Sequence, residues 1–333
     1  MSDFSTLMEK QQVYLFAEFV VNDIKHPIRI DRYLHQHYPE TARTQFQKQI
    51  SEGLILHNGV IPRKGEKVHV DDEIKIYTPY RSKIEWLEND QIIPDIIFED
   101  SEIIVINKPA GLQIHPASGN YNNTLINGLL AYVRRKNEEV FLVHRLDKFT
   151  SGLIVFAKNE KSQEKLSKMF SEKIAKRKYY GLVWGKLSED GSIDAPIARS
   201  KNNKKRFEVM SINDGGKKAI THFKVLQSFS FQTFLECDLE TGRTHQIRVH
   251  MMNEKHPLIG DWEYGGDQVL FGIREEKYIS SMDELLALFK GQALVAKELS
   301  FPHPLSKEEM HFEIDLPENF RRALDLLEKL YTR

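Results

Sequence analysis

Residues 140–157 read Val140-Phe141-Leu142-Val143-His144-Arg145-Leu146-Asp147-Lys148-Phe149-Thr150-Ser151-Gly152-Leu153-Ile154-Val155-Phe156-Ala157, two apolar runs of strand composition interrupted by an ionisable cluster. A carboxylate at such a junction stands at a turn beside a buried sheet, where it can be held rigidly and stripped of part of its water. That is how a protein builds a catalytic acid or base. The same pattern also serves plain turn chemistry, with Asp147 bonding its own backbone and Ser151-Gly152 completing the bend. The choice between the two readings rests on partners supplied elsewhere in the chain.

With 333 residues and 41% hydrophobic content, the chain has material for about two domains with real cores. Its 47 Lys and Arg nearly cancel 48 Asp and Glu, so the whole-chain charge points to no polyanion. The distribution does. Between Lys173 and Lys224, 13 basic residues stand against 5 acidic ones, in clusters that include Lys176-Arg177-Lys178 and Lys204-Lys205-Arg206. Such a stretch suits a phosphate backbone, although a solvated charged face has the same composition. The one cysteine, Cys237, excludes an internal disulfide and a Cys-based zinc cluster, and it lies in an alternating run, Thr233 to Leu239, that reads as a strand. Met1 to Lys10 has no basic segment followed by an apolar core, and no apolar stretch approaches a membrane span. The expected setting is a reducing cytoplasm, away from any membrane.

Along the chain, residues 1–27 read as an N-terminal extension, 28–80 as a small α+β unit, 81–93 as a linker and 94–333 as the larger domain. Pro79, Pro94 and the polar run Glu88-Asn89-Asp90-Gln91 mark the linker. In the small unit a helical pattern at Ile30 to Leu34 is followed by a second helix, with Thr41 as its cap, Phe46 and Ile50 on one face, and Gly53 past its end. Leu54 to His57, the pair Asn58-Gly59, and Val60-Ile61 then predict a hairpin, with further short strands at Val68 to Val70 and Ile74 to Ile76. Two short helices, an Asn-Gly hairpin and the closing Asp71-Asp72-Glu73-Ile74 resemble the S4 RNA-binding fold. That resemblance implies an RNA-facing helix carrying Arg43, Gln47 and Lys48.

The larger domain opens with a hairpin, Ile96 to Phe98 and Ile103 to Ile106, broken by Asn107-Lys108-Pro109-Ala110-Gly111. Helices are expected at Thr124 to Tyr132 and near Lys161 to Phe170, and strands around Tyr179 to Gly185, Thr221 to Leu226 and Phe231 to Asp238. Adjacent strands with helices between them predict an α+β fold with a mostly antiparallel mixed sheet. The piece Gly260 to Gly266 lacks the spacing of a nucleotide-binding loop.

A second cluster, Thr241-Gly242-Arg243-Thr244-His245-Gln246-Ile247-Arg248-Val249-His250, follows the Cys237 strand and turns into a helix. A metal site from His144, His245, His250 and Asp147 is disfavoured, because two His five apart on a helix point about 140° away from each other. The better reading pairs Arg248 or Arg243 with Asp147 and keeps the carboxylate ionised. Arg177-Lys178-Tyr179 adds an aromatic hydroxyl at the start of a strand in the most basic part of the chain.

Taken in order, His144-Arg145-Leu146-Asp147 with Thr150-Ser151-Gly152, then Arg177-Lys178-Tyr179, then Gly242 to His250, resemble the motifs of the RluA family of RNA pseudouridine synthases. Asn107 to Gly111, His256-Pro257-Leu258-Ile259-Gly260-Asp261 and Phe301-Pro302-His303-Pro304 resemble further signatures, so the likeness spans residues 94 to 316. The resemblance implies that Asp147 is the essential carboxylate, acting at the glycosidic carbon, at ribose C2′ or on the base. It places Tyr179 against the flipped base, pairs Arg248 with Asp147 and puts Arg145 in the gap left by the extruded base. Lys178, Arg243, His245, Lys204 and Lys205 would contact RNA. The sequence departs from the family at Val295, where a His is usual, and the stretch Gly266 to Gly291 reads as an insertion bearing on substrate choice.

The expected function is therefore isomerisation of uridine to pseudouridine, in large-subunit ribosomal RNA, with transfer RNA as the alternative substrate and a non-catalytic ribosome-assembly factor as the alternative class. No metal, nucleotide or redox cofactor is implied. The expected partners are substrate RNA and pre-ribosomal particles, bound by a monomer.

Overall fold

The computed structural model describes residues 13–39, 41–79, 87–116, 119–203 and 206–332, and the chain divides into two units, residues 1–85 and 86–333. The first unit contains β1 (Val13–Val20), β2 (Ile28–Arg29), α1 (Ile30–His37), α2 (Arg43–Ser51), β3 (Ile55–His57), β4 (Lys67–Val68) and β5 (Glu73–Pro79). Strands β1, β5 and β3 form an antiparallel sheet in that order, and β2 pairs with β4. The apolar stripes of the helices, Ile30, Tyr33, Leu34, Phe46 and Ile50, bury against Ile55, Ile74 and Ile76. Each such side chain contributes about 1.5–3 kcal/mol by leaving water.

Two expectations for this unit are corrected. The extension expected at 1–27 contains β1, paired with β5 from Val13 opposite Pro79 to Val20 opposite Glu73, with Ala17 and Phe19 packed on the core. The Asn58-Gly59 turn forms, both residues having positive φ, and closes with paired backbone bonds between His57 and Val60, but the pairing goes no further and Ile61 is not in a strand. Val60 and Ile61 are exposed, whereas the buried β3 pairs with the buried part of β5. Burial, rather than the turn, selects the partner strand.

The second unit contains β6 (Ile96–Glu99), β7 (Ile103–Lys108), α3 (Leu125–Arg134), β8 (Phe141–Leu142), β9 (Ser151–Ala157), α4 (Glu160–Ser171), β10 (Lys176–Trp184), β11 (Gly191–Asp194), β12 (Ile197–Arg199), β13 (Phe207–Val209), β14 (Ile220–Ser228), β15 (Gln232–Leu239), α5 (Gln246–Asn253), α6 (Glu276–Ala287), β16 (Leu294–Pro302), β17 (Glu309–Glu313) and α7 (Glu318–Tyr331). Its main sheet runs β11-β14-β15-β10-β16-β9-β7-β6, with β17 on β16 and β8 on β9, while β12 and β13 form a separate hairpin. Among the described residues β16 and β9 are the parallel neighbours in this sheet, and the other pairs are antiparallel. The expected mostly antiparallel α+β architecture is what the chain adopts.

Strand alternation gives the sheet two apolar faces. One carries Leu182, Trp184 and Val295 and is covered by α4, α6 and α7 through Leu166, Tyr278, Met282, Leu285, Phe320 and Leu327. The other carries Tyr179, Leu235, Cys237 and Leu294 and receives α3 and α5 through Leu125, Leu129, Ile247 and Met251. The site lies on this second face. Helix α6 falls inside the stretch 266–291 expected as an insertion; its buried Tyr278, Met282 and Leu285 make it part of the core. Residues 87–92 of the expected linker are likewise packed: Asn127 donates to the Leu87 carbonyl at 2.6 Å, and the Ile92 carbonyl lies 2.4 Å from where a Cβ on Gly128 would stand. Among the described residues no helix is long and apolar enough to cross a membrane.

Candidate active site

Asp147 opens a turn that ends at Thr150, whose N–H donates to the Asp147 carbonyl at 3.1 Å. Ser151 and Gly152, expected to complete the bend, already belong to β9. There the chain crosses β16 so closely that a Cβ on Gly152 would lie 2.2 Å from the Ala296 carbonyl oxygen, and φ is +106°. Only glycine meets both conditions without strain. The turn is fastened from below. The Lys108 ammonium is fully buried and donates to the carbonyls of Pro109, Leu112 and Lys148 at 2.9, 2.9 and 3.0 Å. Gln292 donates to the Thr150 hydroxyl at 3.0 Å, and the Phe149 ring lies against Gly291 where no Cβ has room. Burial pushes the Lys108 ammonium down to about 7, with the charge of Asp147 acting in the opposite direction.

Arg248 lies on α5 and is itself buried. Its Nη1 reaches Asp147 Oδ2 at 3.4 Å, while Nε and Nη2 hold Asp261 at 2.7 and 2.8 Å, and Nη2 also meets Glu263. The pairing with Asp147 expected from sequence is present, but the principal counter-ion is Asp261. Burial alone would lower the guanidinium pKa; the bidentate Asp261, then Asp147 and Glu263, raise it.

Tyr179 projects from β10 onto the same face, 5% exposed. Burial raises its hydroxyl pKa, Arg177 pulls it back and Asp147 raises it further. Asp147, Tyr179 and Arg248 line one cavity of about 80 Å³, together with Arg145, Arg243 and His245. Arg145 and Arg243 are exposed at its edge, and Arg243 Nε donates to the Lys218 carbonyl at 3.0 Å.

Other expected RNA contacts are placed differently. Lys178 neighbours Tyr179 on a strand and therefore points to the opposite face, where it sits 3.6 Å from Glu236 and 3.4 Å from Glu298. In the first unit, Arg43 and Gln47 do not project freely from α2: both bond Oδ2 of the buried Asp31, at 2.9 and 2.6 Å, and Arg29 bonds the same carboxylate. Lys48 is exposed and 3.6 Å from Glu52. Lys204 and Lys205 lie outside the described residues.

The histidines separate. His144 accepts the Val155 N–H at Nε2 and stacks on Phe170 with centroids 4.4 Å apart; burial, then Arg177, pushes it down to about 3. His250 is buried between Thr221 and the Ala195 carbonyl. His245 alone of the three faces Asp147, with Nε2 3.9 Å from Oδ1. Among the described residues no three His, Cys, Asp or Glu side chains form a metal-binding group. Val295, in place of the usual His, is fully buried on the sheet face turned away from the cavity.

Sequence reasoning missed Asp261, Glu263, Tyr264, Lys108 and Gln292. For the first four the sequence marks only polar residues set beside Pro or Gly in Asn107 to Gly111 and Gly260 to Gly266, and not what they contact.

The pattern that defines RNA pseudouridylate synthases matches residues 102–253. An uncharacterized RNA pseudouridine synthase of Bacillus subtilis strain 168 is 37% identical over 311 residues, covering 90% of this chain and 94% of that protein. Proteins named ribosomal large subunit pseudouridine synthase D from Buchnera aphidicola and Pseudomonas aeruginosa are 38% and 37% identical, across 89% and 90% of this chain and 93% and 92% of theirs. Among solved structures, human RNA pseudouridylate synthase domain containing 4 aligns with a TM-score of 0.57 at 24% identity, over 70% of this chain and 93% of its own, a likeness of fold.

Proposed function

The chain belongs to the RNA pseudouridylate synthase family and is an isomerase that converts uridine in RNA to pseudouridine; we propose that its substrate is large-subunit ribosomal RNA and that Asp147 is the reacting carboxylate. The reading is carried by one observation: Asp147, Tyr179 and Arg248, from a turn, a strand and a helix far apart in sequence, line the same cavity beside two exposed arginines. The ribosomal target is supported by the names of the relatives that match across most of both chains.

The isomerisation breaks the N1–C1′ bond, turns the uracil, joins C5 to C1′, and moves the C5 proton away while N1 gains one. Nothing is consumed, so atoms and electrons balance within the nucleoside. A stacked base does not permit these steps, and extrusion costs a few kcal/mol, which phosphate contacts and stacking offset. Arg145 occupies the gap, Tyr179 stands against the base and assists loss of the C5 proton, and Arg248 holds Asp147. The half-exposed Arg29 and Arg43, preorganised by Asp31, support the reading of the first unit as an S4-like RNA-binding domain, with the exposed Lys48 beside them. We further propose that it acts in the cytoplasm on pre-ribosomal particles, as a monomer.

Tritium release from RNA labelled at uridine C5 tests the chemistry: the protein releases it and Asp147→Asn does not. Equal release from both overturns the role of Asp147. Sequencing pseudouridines in RNA from cells with and without the gene tests the target. Loss of a transfer-RNA site in place of a ribosomal one would overturn the substrate assignment.

A further inference from the structure

We propose that His245 is a positioning residue for the reaction, its Nε2–H held toward the Asp147 carboxylate by Tyr264. This extends the assignment of Asp147 as the reacting group and rests on it. Three observations lead here, all from the loop that precedes α5 and the elements packed around it.

The first is the backbone. His245 adopts the left-handed conformation, φ +58° and ψ +22°, at the residue that begins α5. For a side chain of this size the conformation costs roughly 1–2 kcal/mol and persists only where the surroundings impose it. Its consequence is orientation: the ring turns to the cavity, with Nε2 3.9 Å from Asp147 Oδ1, while Arg248 Nη1 stands 3.4 Å from Oδ2. The two oxygens of one carboxylate are thus addressed by two different donors from α5 and its cap.

The second is the tautomer. The Phe207 N–H donates to the Tyr264 hydroxyl oxygen at 3.1 Å, and that oxygen lies 2.9 Å from His245 Nδ1. With its oxygen already accepting a backbone donor, the hydroxyl has its own hydrogen to give to Nδ1. The ring hydrogen then resides on Nε2, facing Asp147.

The third is the enclosure. The Phe207 and Tyr264 rings meet the imidazole edge-on at 5.5 and 5.7 Å, and Arg206 lies over Tyr264 at 5.1 Å. The charged groups facing the ring are Asp147 from the turn before β9, Arg248 on α5, and Asp261 and Glu263 from the loop 260–266. Glu263 stands 3.8 Å from Nδ1, farther than the Tyr264 hydroxyl. Burial, and after it Arg248, draws the imidazole pKa below its ordinary value, against the pull of Asp147, Glu263 and Asp261.

The test uses the full chain, total RNA from cells lacking the gene labelled at uridine C5, and single-turnover tritium release alongside the RNA dissociation constant. Asn adopts left-handed backbone readily, so His245→Asn should melt at the wild-type temperature, yet its shorter amide does not reach Asp147. Its release rate should fall roughly 10- to 100-fold with RNA affinity unchanged. Gln places an N–H near the position of Nε2, so His245→Gln should recover part of the rate. Tyr264→Phe frees Nδ1 to take the hydrogen toward Glu263, so its rate should fall about as far as that of His245→Asn with RNA affinity unchanged. A wild-type rate in His245→Asn, equal rates for the Asn and Gln variants, or a wild-type rate in Tyr264→Phe would each overturn the proposal. So would an affinity loss with rate retained, which would make His245 an RNA contact. Asp147→Asn separates the two readings: release by that variant removes the role of Asp147 itself, whereas its silence beside a fully active His245→Asn removes only the role given to His245.

Discussion

Arg248 gives Asp261 two hydrogen bonds, 2.7 Å from Nε and 2.8 Å from Nη2, and reaches Asp147 through Nη1 alone at 3.4 Å. The guanidinium is therefore bolted along one edge to a carboxylate that is 1% exposed, and the opposite corner is aimed into the cavity. A planar fork suits this task; a lysine ammonium, with no edge to fix, does not. Positioning of Asp147 is thereby set in part by a residue that does not itself line the cavity.

Asp261→Asn keeps the shape but offers one carbonyl oxygen where two carboxylate oxygens stood, and turns an N–H₂ toward the guanidinium. The expected result is a drop in turnover of roughly 10- to 100-fold with KM for RNA little changed. Asp261→Ala should in addition lower stability by about 3–5 kcal/mol, because a buried cation loses its main partner. Steady-state tritium release and urea unfolding check the two effects, and undiminished turnover in Asp261→Asn would contradict the positioning role.

Lys108 brings three N–H donors to three carbonyls, one of them on the residue that follows Asp147. Methionine fills the same volume without donors, so the Pro109, Leu112 and Lys148 carbonyls lose the bonds that Lys108 gives them. Lys108→Met should lose roughly 2–4 kcal/mol of stability, and its turnover should fall further than its affinity for RNA. Denaturant midpoints and rates on the full chain measure both.

The contrast between these residues and Asp147 explains what the sequence could reveal. Asp147, Tyr179 and Arg248 were readable because each sits in a local motif whose neighbours specify a turn, a strand start and a helix start. Asp261 and Glu263 were not, since their partner is decided by how the loop 260–266 folds back over α5, a tertiary fact. Lys178 was misplaced by one position of strand alternation, which turns it away from the cavity beside its neighbour Tyr179. That Asp31, twelve residues before Arg43, gathers Arg43 and Gln47 is likewise a tertiary fact that nothing local shows. Helix α6 went unread because its three buried residues are spaced among charged ones and gain meaning only against Trp184 and α7.

Gly152 makes a sharper structural prediction. Alanine there would need a left-handed backbone and would set its Cβ 2.2 Å from the Ala296 carbonyl oxygen, in the middle of the sheet. The neighbouring atom is backbone, so no rotamer change relieves it. Gly152→Ala should lower stability by about 3 kcal/mol or more, read as a fall in melting temperature with loss of activity. A variant that melts with the wild type would mean that β9 and β16 do not cross this closely.

His57 gives the first unit a stability that depends on pH. Its Nδ1 lies 2.5 Å from Glu66 and its Nε2 2.7 Å from Asp72, tying β3 to the segments on either side of β4. Burial opposes the charged ring, but the two carboxylates outweigh it and raise the imidazole pKa above its ordinary 6.5. A folded pKa above the unfolded one means the native state holds the proton more tightly. The stabilisation is therefore complete below about pH 6.5 and disappears as pH rises through the folded value. Asp72 works from the other side: bonds from Asn58, the His69 N–H and His57 outweigh burial and lower it to about 2, so its contribution is present above 3.8 and lost on acidification. Hydrogen exchange of the β3 amides in the full chain, corrected for intrinsic rates, should show weaker protection at about pH 8.5 than at about pH 6. His57→Gln, which cannot titrate, should remove the difference between the two. If wild-type protection is the same at both, the imidazole does not carry the charge that the pair of carboxylates is placed to hold.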